Sequence, residues 1–230
     1  MPLLLTALAL IGLTWLAQSK EWSRVEVYSR VAFFIILLAW LWISADLPSL
    51  GSGEEGLLLW IAYGLGVALL GELLQISNLW LPWAYATYPL SALLFAMGLD
   101  VLRPNAYAYT PAAIIAILVG LVTARLIQQL FLSLQEREWG AYKPILAIYT
   151  LSIALMLYAA FFKLMDRNWL LPWSYLMALG ALLISLSQVW IAWDQIRDLP
   201  VVQLRNSTLG YQLGSFLIVL AAFSHYQQYF

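Results

Sequence analysis

Long runs of apolar residues, separated by short polar segments, dominate this chain. A bilayer core about 30 Å thick is crossed by roughly 20 helical residues at 1.5 Å each. Eight stretches have this character and predict transmembrane helices near residues 2–18, 29–46, 56–76, 84–102, 110–131, 143–163, 170–193 and 207–228. The pattern therefore predicts an all-α, polytopic integral membrane protein of about eight helices, forming a single transmembrane domain over residues 1–230.

The composition excludes several functional classes. The chain is 63% hydrophobic and only 10% charged, whereas soluble domains are about 45–50% apolar and about 25% charged. A net charge of −1 without a basic block gives no electrostatic case for nucleic acid as a partner. There is no cysteine and one histidine, His225, and the scattered carboxylates have no ligand spacing. No metal or other cofactor is therefore expected, and His225 is expected at the surface.

One side of the membrane is expected to carry most of the positive charge. If the eight spans alternate in direction, eight of the 11 Lys and Arg residues share one side: Lys20, Arg24, Arg30, Arg125, Arg137, Lys143, Arg197 and Arg205. The other side holds Arg103, Lys163 and Arg167. The positive-inside rule places the first group in the cytoplasm and predicts that both termini are non-cytoplasmic.

A polar group inside a predicted span is costly unless it has a partner, and five such side chains are selected as candidates for a functional site. They are Glu72, Arg125, Tyr149, Gln188 and Tyr211. Odd spans end and even spans begin on the cytoplasmic side, so the five are expected at a similar depth, roughly 6–9 Å below that surface. They form a predicted polar layer drawn from five helices, which helix packing could gather into one pocket.

The same residues could instead have purely structural roles. Arg125 could extend its guanidinium to the lipid headgroups, or it could form a structural ion pair with Glu72. The two tyrosines could be interface aromatics. Ser185, Ser187 and Gln188 could form interhelical hydrogen bonds, which contribute about 0.6 kcal/mol each on average.

Four short elements, taken in order, resemble those of the YhhN-like lysoplasmalogenase family of eight-span membrane proteins. They are "LLGELL" at 69–74, "PILAIYTLSIALMLYAA" at 144–160, "GALLISLSQVWIA" at 180–192 and "YQLGSFLI" at 211–218. Each element is short and apolar, so their order and spacing together carry the resemblance, which covers most of the chain from about residue 56.

The resemblance implies cleavage of the vinyl ether bond of lysoplasmalogens, which releases an aldehyde and a glycerophospholipid. In that chemistry a carboxylic acid protonates the vinyl carbon, and a second carboxylate would stabilise the resulting cation and activate water. Glu72 matches the family's first aspartate, and Gln188 matches its second. Leu99 stands at the family's histidine and Ser215 at its glutamine, so this chain keeps one of the two carboxyl groups.

The sequence therefore predicts a membrane protein acting on or binding a lysophospholipid-type ether lipid. Glu72 is the predicted catalytic acid/base and Arg125 the predicted phosphate ligand, while the remaining predicted substrate-binding residues are Tyr149, Ser187, Gln188, Tyr211 and Ser215. The alternative is a catalytically degenerate relative that serves as a structural or lipid-binding subunit with other membrane subunits as partners. A transporter is disfavoured, because no predicted span is broken in mid-membrane by Gly or Pro beside charges.

Overall fold

The computed structural model describes residues 2–45, 56–76, 81–99, 109–136, 143–197 and 202–228, and these residues form eight α-helices. The helices are α1 (Pro2–Ser19), α2 (Ser23–Ala45), α3 (Gly56–Ile76), α4 (Leu81–Gly98), α5 (Tyr109–Glu136), α6 (Lys143–Phe162), α7 (Leu171–Arg197) and α8 (Val202–Tyr226). Each corresponds to one predicted span. Arg103 and Arg137, two of the cations used to predict orientation, lie outside the described residues.

The helices differ from the predicted spans mainly at their polar ends. α2 begins at Ser23 instead of residue 29. The apolar run indicates only the segment that crosses the hydrocarbon core, and the helix starts several residues earlier in a polar segment. The six additional residues include Glu26, and they place Arg30 in the third turn of α2 instead of at a helix start.

The surface of the bundle is that of a membrane protein. In the described part of the chain, six helices contain segments long and apolar enough to cross a membrane, and α4 and α6 contain shorter apolar segments, Thr87–Gly98 and Leu146–Phe162. Large apolar side chains such as Leu5, Ile43 and Leu121 are exposed. So much exposed apolar surface is expected against lipid chains and not against water. The prediction of an all-α, multi-pass membrane protein is confirmed.

The bundle interior is formed by seven helices, and α5 lies at its edge. Among the described residues, the main hydrophobic cluster draws on every helix except α5. Only 6% of the apolar segment of α5 is buried, compared with 56% for α7 and α8. α5 packs against α6 and α7. A side chain on α5 therefore has little access to the interior.

α7 and α8 are in closer contact than side chains of ordinary size would allow. A Cβ atom added to Gly214 would lie 2.6 Å from the carbonyl oxygen of Gly180, and one added to Gly180 would lie 2.7 Å from the carbonyl oxygen of Gly214. The two backbones touch at these glycines, as small residues permit in membrane helix pairs. This contact sets the position of α8 against α7 beside the polar residues Tyr211, Gln212 and Ser215.

The turn between α1 and α2 positions residues of both helices at one end of the bundle. The Trp22 N–H donates to the Ala17 carbonyl at 2.8 Å, and Glu21 has a left-handed backbone with φ 60°. This is the Schellman arrangement that commonly ends a helix, here with Glu21 where glycine is usual. We call this end of the bundle the site end. It also contains the end of α3, α5 and α7 and the start of α4, α6 and α8.

Candidate functional site

A buried carboxylate with several partners lies near the site end. Glu72 of α3 is 3% exposed. Arg30 of α2 donates to Glu72 Oε2 through Nε, at 2.7 Å, and through Nη2. The Tyr88 hydroxyl of α4 donates to Glu72 Oε1 at 3.1 Å. Glu72 thus accepts three hydrogen bonds, two of them charge-assisted, which are the stronger kind.

Tyr88 also connects Glu72 to α8. Its ring lies edge-on to Tyr211, with centroids 5.2 Å apart, and the Tyr211 hydroxyl donates to Ser91 Oγ at 3.2 Å. α4 continues through Pro89, so proline does not interrupt this helix. We call Arg30, Glu72, Tyr88, Ser91 and Tyr211 the carboxylate cluster. It joins α2, α3, α4 and α8 inside the bundle.

Arg30 has a second acidic neighbour on its own helix. Its Nη1 lies 3.6 Å from Glu26 Oε1, one turn earlier. Glu26 also accepts a hydrogen bond from Gln18 Nε2 of α1, at 3.2 Å. The side chain of Glu26 is 21% exposed and that of Arg30 is 13% exposed. The acidic and basic groups therefore extend from the buried Glu72 toward the α1–α2 turn.

Gln188 belongs to a second polar group, formed by α6 and α7. Its side chain is completely buried. The Tyr149 hydroxyl contacts Gln188 twice, at the side-chain Oε1 and, at 3.0 Å, at the backbone carbonyl oxygen. Tyr149 therefore satisfies the acceptor of the amide. The donor, Nε2, has no hydrogen-bond partner among the described residues.

Two more buried polar side chains lie on α8 next to Tyr211. Gln212 and Ser215 are both 0% exposed. Three of their atoms, Nε2 and Oε1 of Gln212 and Oγ of Ser215, have no hydrogen-bond partner in the part of the chain that the structure describes. Buried polar atoms of this kind are rare and call for an explanation such as bound water or a ligand. Ser215 lies one helical turn beyond Tyr211, so these groups continue the polar surface into the bundle.

Arg125, the predicted phosphate ligand, lies away from the carboxylate cluster. It is exposed on α5 and donates to Gln128 Oε1 at 3.1 Å. The interpretation that Arg125 pairs with Glu72 is wrong, because Arg30 is the cation bonded to that carboxylate. The physical reason is the peripheral position of α5, which leaves its guanidinium at the lipid-facing surface.

Ser187 is part of the α7–α8 contact. Its hydroxyl donates to the Leu183 carbonyl one turn earlier, at 2.7 Å, and packs where a Cβ atom of Gly210 would stand. The hydroxyl is thus already bonded within its own helix. The structure brings Glu72 and Tyr211 into one cluster and pairs Tyr149 with Gln188, and it assigns Ser187 to helix packing.

Residues that sequence reasoning missed complete the cluster. The charge pattern identifies Arg30 only as a cation of the membrane surface, and the predicted polar layer does not include Tyr88, Ser91 or Gln212. Two signals could have identified the first two. A buried carboxylate requires a cationic or hydrogen-bonding partner, and Tyr88 stands four residues after the predicted start of its span, at the depth of the other candidates.

The opposite end of the bundle has a separate aromatic and charged contact. His225 stacks on Trp169 with ring centroids 3.9 Å apart, and Lys163 lies 3.3 Å from Asp166. His225 is only 8% exposed, so the prediction of a surface residue is wrong. The connector after α6 packs over the end of α8 and covers it. Among the described side chains, no three His, Cys, Asp or Glu residues are grouped so as to hold a metal ion.

One of the comparisons with known proteins identifies a family. Residues 25–222 match the sequence profile of the YhhN family. No curated protein matches the chain, and no solved structure does. The matched region begins in α2 and ends in α8, so it contains both Arg30 and Tyr211 and most of the sequence. On this evidence the protein belongs to the YhhN family.

Proposed function

We propose that this protein is a vinyl ether hydrolase for lysoplasmalogen-type lipids, with Glu72 as the residue that handles the proton. The observation that carries the proposal is the placement of Glu72, a buried carboxylate bonded to Arg30 and Tyr88 near one end of a membrane bundle. A lipid can enter such a site from the bilayer, with its headgroup at the interface and its chain among apolar helices.

One carboxyl group is sufficient for the chemistry. The acid form of Glu72 gives its proton to the terminal carbon of the C=C–O unit, and the substrate becomes an oxocarbenium ion. The carboxylate that remains is stabilised by Arg30 and Tyr88, and its negative charge lies beside the cation. Water adds to the oxocarbenium carbon and returns a proton to Glu72. The hemiacetal then separates into an aldehyde and a glycerophospholipid.

Buried polar groups near the carboxylate cluster support a lipid with free hydroxyl groups. Gln212 offers a donor and an acceptor, and Ser215 offers a hydroxyl, all without partners among the described residues. Gln188 offers a further donor. A lysolipid has a glycerol hydroxyl that a two-chain phospholipid lacks, and that hydroxyl both donates and accepts. We assign Tyr149, Gln188, Gln212 and Ser215 to the lining of the lipid site. Tyr211, whose hydroxyl donates to Ser91, is assigned to the packing behind Tyr88.

The charge distribution supports a cytoplasmic location for the site end. Eight of the 11 Lys and Arg residues lie on that side if the eight helices alternate in direction, and cytoplasmic segments carry the excess of positive charge. Both termini are then non-cytoplasmic, and the lipid is taken from the cytoplasmic leaflet.

The test is aldehyde release from a lysoplasmalogen by the purified protein in detergent or in lipid nanodiscs. We expect hydrolysis by the unaltered protein and a loss of at least about 100-fold in Glu72→Gln, which keeps the shape but removes the acid. Arg125→Gln is the matched control, since it removes the charge of an arginine that is exposed on α5, away from the carboxylate cluster. Aldehyde release that is equally fast in Glu72→Gln would remove Glu72 from the reaction.

A second candidate is a lipid-binding protein without catalysis, acting as a subunit with other membrane proteins. Gln188 at the family's second carboxylate position favours it, because an amide is neither an acid nor a base. Binding of a lysolipid with a saturated ether bond separates the two functions. Binding without aldehyde release from the vinyl ether lipid supports the second function, and the absence of both activities contradicts both candidates.

A further inference from the structure

Gln212 is buried inside the bundle with both atoms of its amide group unpaired. The side chain is 0% exposed, and neither Nε2 nor Oε1 has a hydrogen-bond partner among the described residues. It is the one described side chain with two such atoms. Leaving a buried polar atom unpaired is costly, so these two atoms indicate a bound molecule that pairs with the amide.

The amide lies on the side of α8 that faces the carboxylate cluster. Gly210 and Gly214 are in contact with α7, and Gln212, midway between them, is about 200° around the helix from each. The amide therefore points away from α7. α8 also packs against α1, α2 and α3, and α2 and α3 carry the ion pair of the carboxylate cluster. Tyr211, a member of that cluster, is only about 1.5 Å from Gln212 along the helix axis, so the amide is at the depth of the cluster.

The two amide atoms of Gln212 together specify the chemical group that pairs with them. Oε1 accepts and requires a donor, whereas Nε2 donates and requires an acceptor. Ester, ether and phosphate oxygens only accept, so they would leave Oε1 unpaired, and an ammonium group only donates. A hydroxyl group does both. The Ser215 hydroxyl, three residues further along α8, also has no partner in the described part of the chain and is close enough to join the same hydrogen-bonded group.

We propose that Gln212 is a specificity-determining residue, which binds the free hydroxyl on the middle glycerol carbon of the lipid and rejects lipids in which that hydroxyl is esterified. The inference rests on the proposed function for the class of lipid, but the binding that it describes requires no reaction. In a lysoplasmalogen this hydroxyl is on the carbon next to the one that carries the vinyl ether. The hydroxyl and the reacting bond therefore occupy one site, in agreement with an amide at the depth of Glu72.

The selectivity arises mainly from the lipids that do not fit. A site built to pair with a hydroxyl group leaves its own buried atoms unpaired when the hydroxyl is missing, and such sites discriminate more strongly than apolar sites do. Water satisfies buried groups of this kind in a protein without its ligand. A lipid oxygen that only accepts displaces the water without replacing its hydrogen bond to Oε1, and affinity is lost.

Binding of three ether lipids by the purified protein in lipid nanodiscs tests the inference. All three have a saturated ether chain and a phosphocholine headgroup, and the middle glycerol carbon carries a hydroxyl group, a methoxy group or only hydrogen. We expect the hydroxyl lipid to bind at least about tenfold more tightly than either of the others.

Two variants and a control assign this preference to the amide. Gln212→Met and Gln212→Leu should bind the three lipids with equal affinity, because no polar atom of residue 212 remains to read the hydroxyl. Both keep an apolar side chain of similar size, a replacement that proteins tolerate when the lost polar atoms had no protein partner. Gln227→Met, which removes an exposed glutamine at the opposite end of the bundle, should keep the full preference.

Equal affinity of the unaltered protein for the three lipids overturns the inference without any variant, as does the absence of binding. A hydroxyl preference that persists in both Gln212 variants also overturns it. Aldehyde release from a lysoplasmalogen, measured on the same samples, keeps the two proposals apart. A hydroxyl preference that depends on Gln212, with no aldehyde release by any sample, supports the inference and contradicts the proposed hydrolysis. Aldehyde release that depends on Glu72, from a protein without this preference, supports the hydrolysis and contradicts the inference.

Discussion

At the scale of single residues, the main feature is a charged pair inside a membrane bundle. Glu72 is 3% exposed and Arg30 is 13% exposed at the side chain, so both have lost most of their hydration. Such a pair adds little net stability, but removing one partner leaves an uncompensated buried charge. The polar residues of this protein are therefore coupled, and single substitutions are expected to cost more than paired ones.

We predict that Arg30→Gln destabilises the protein by about 3–5 kcal/mol, since it leaves Glu72 without its cation. The double variant Arg30→Gln with Glu72→Gln should recover part of that loss, because no buried charge remains. Arg125→Gln, at the exposed face of α5, should change stability by less than about 0.5 kcal/mol. Unfolding in detergent, followed by tryptophan fluorescence, measures all three. A double variant no more stable than Arg30→Gln alone would show that the two charges are not coupled.

The two buried tyrosines of the carboxylate cluster are predicted to differ in function. Tyr88→Phe removes the hydroxyl that donates to Glu72, whereas Tyr211→Phe removes a bond to Ser91 only. Both changes keep the ring contact between the two helices. We expect Tyr88→Phe to slow hydrolysis by about tenfold, as the loss of about 1.4 kcal/mol from one hydrogen bond implies.

Tyr211→Phe is the matched control for that measurement. Both variants lose one buried hydroxyl, so a similar modest loss of thermal stability is expected in each, about 1 kcal/mol. Equal effects of the two substitutions on the rate of aldehyde release would argue that Tyr88 has a packing role and no direct influence on Glu72.

At the scale of the helices, the α7–α8 contact decides where the polar residues of α8 stand. Gly180 and Gly214 allow the two backbones to meet, and Gly210 makes room for Ser187. Gly210 and Gly214 are four residues apart, so they lie on one face of α8 in a Gly-xxx-Gly pattern. Tyr211 and Ser215 follow each of these glycines directly and are carried toward the centre of the bundle.

We predict that Gly214→Ala lowers the unfolding temperature, although alanine is the better helix former by about 1 kcal/mol. The new methyl group would lie 2.6 Å from the Gly180 carbonyl oxygen and 2.6 Å from Ile184 Cγ1, and such overpacking costs about 1–3 kcal/mol. Gly120→Ala on α5 is the control, since nothing stands within 4 Å of its added Cβ. It should raise the unfolding temperature or leave it unchanged. A stabilised Gly214→Ala variant would contradict the close contact.

At the scale of the whole molecule, the eight helices and the distribution of charge give an orientation that can be measured directly. The chain has no cysteine, so a single introduced thiol is a specific label. Ser19 is exposed at the site end, and Asn168 is exposed at the opposite end, in the connector between α6 and α7.

We predict that Asn168→Cys in intact cells reacts with a maleimide that cannot cross the membrane. Ser19→Cys should react only after the membrane is permeabilised, because the positive-inside rule places the site end in the cytoplasm. Both variants should react fully in detergent, which controls for thiol accessibility. The opposite pattern of labelling would invert the orientation and place the lipid site at the other leaflet.

The sequence by itself determined the class of structure, because the length and hydrophobicity of a segment are local properties that decide whether it can cross a bilayer. Eight apolar runs became eight helices, and the family was identified from four short elements. The sequence also located Glu72, since a carboxylate within an apolar run is costly unless it has a partner. Helix starts in polar segments were less well determined, as α2 shows, because a helix can extend beyond the hydrocarbon without leaving an apolar signal.

Only the tertiary structure decided which polar residues meet. Arg30 and Arg125 were both assigned to the same membrane side, and nothing in their local sequences shows that the first pairs with Glu72 while the second lies at the surface. The difference follows from helix packing: α2 contacts α3 in the bundle, and α5 lies at its edge. Whether two polar residues pair depends on which faces of distant helices meet. Those faces are set by close contacts such as that of Gly180 with Gly214, and the hydrophobicity of a single span does not specify such contacts.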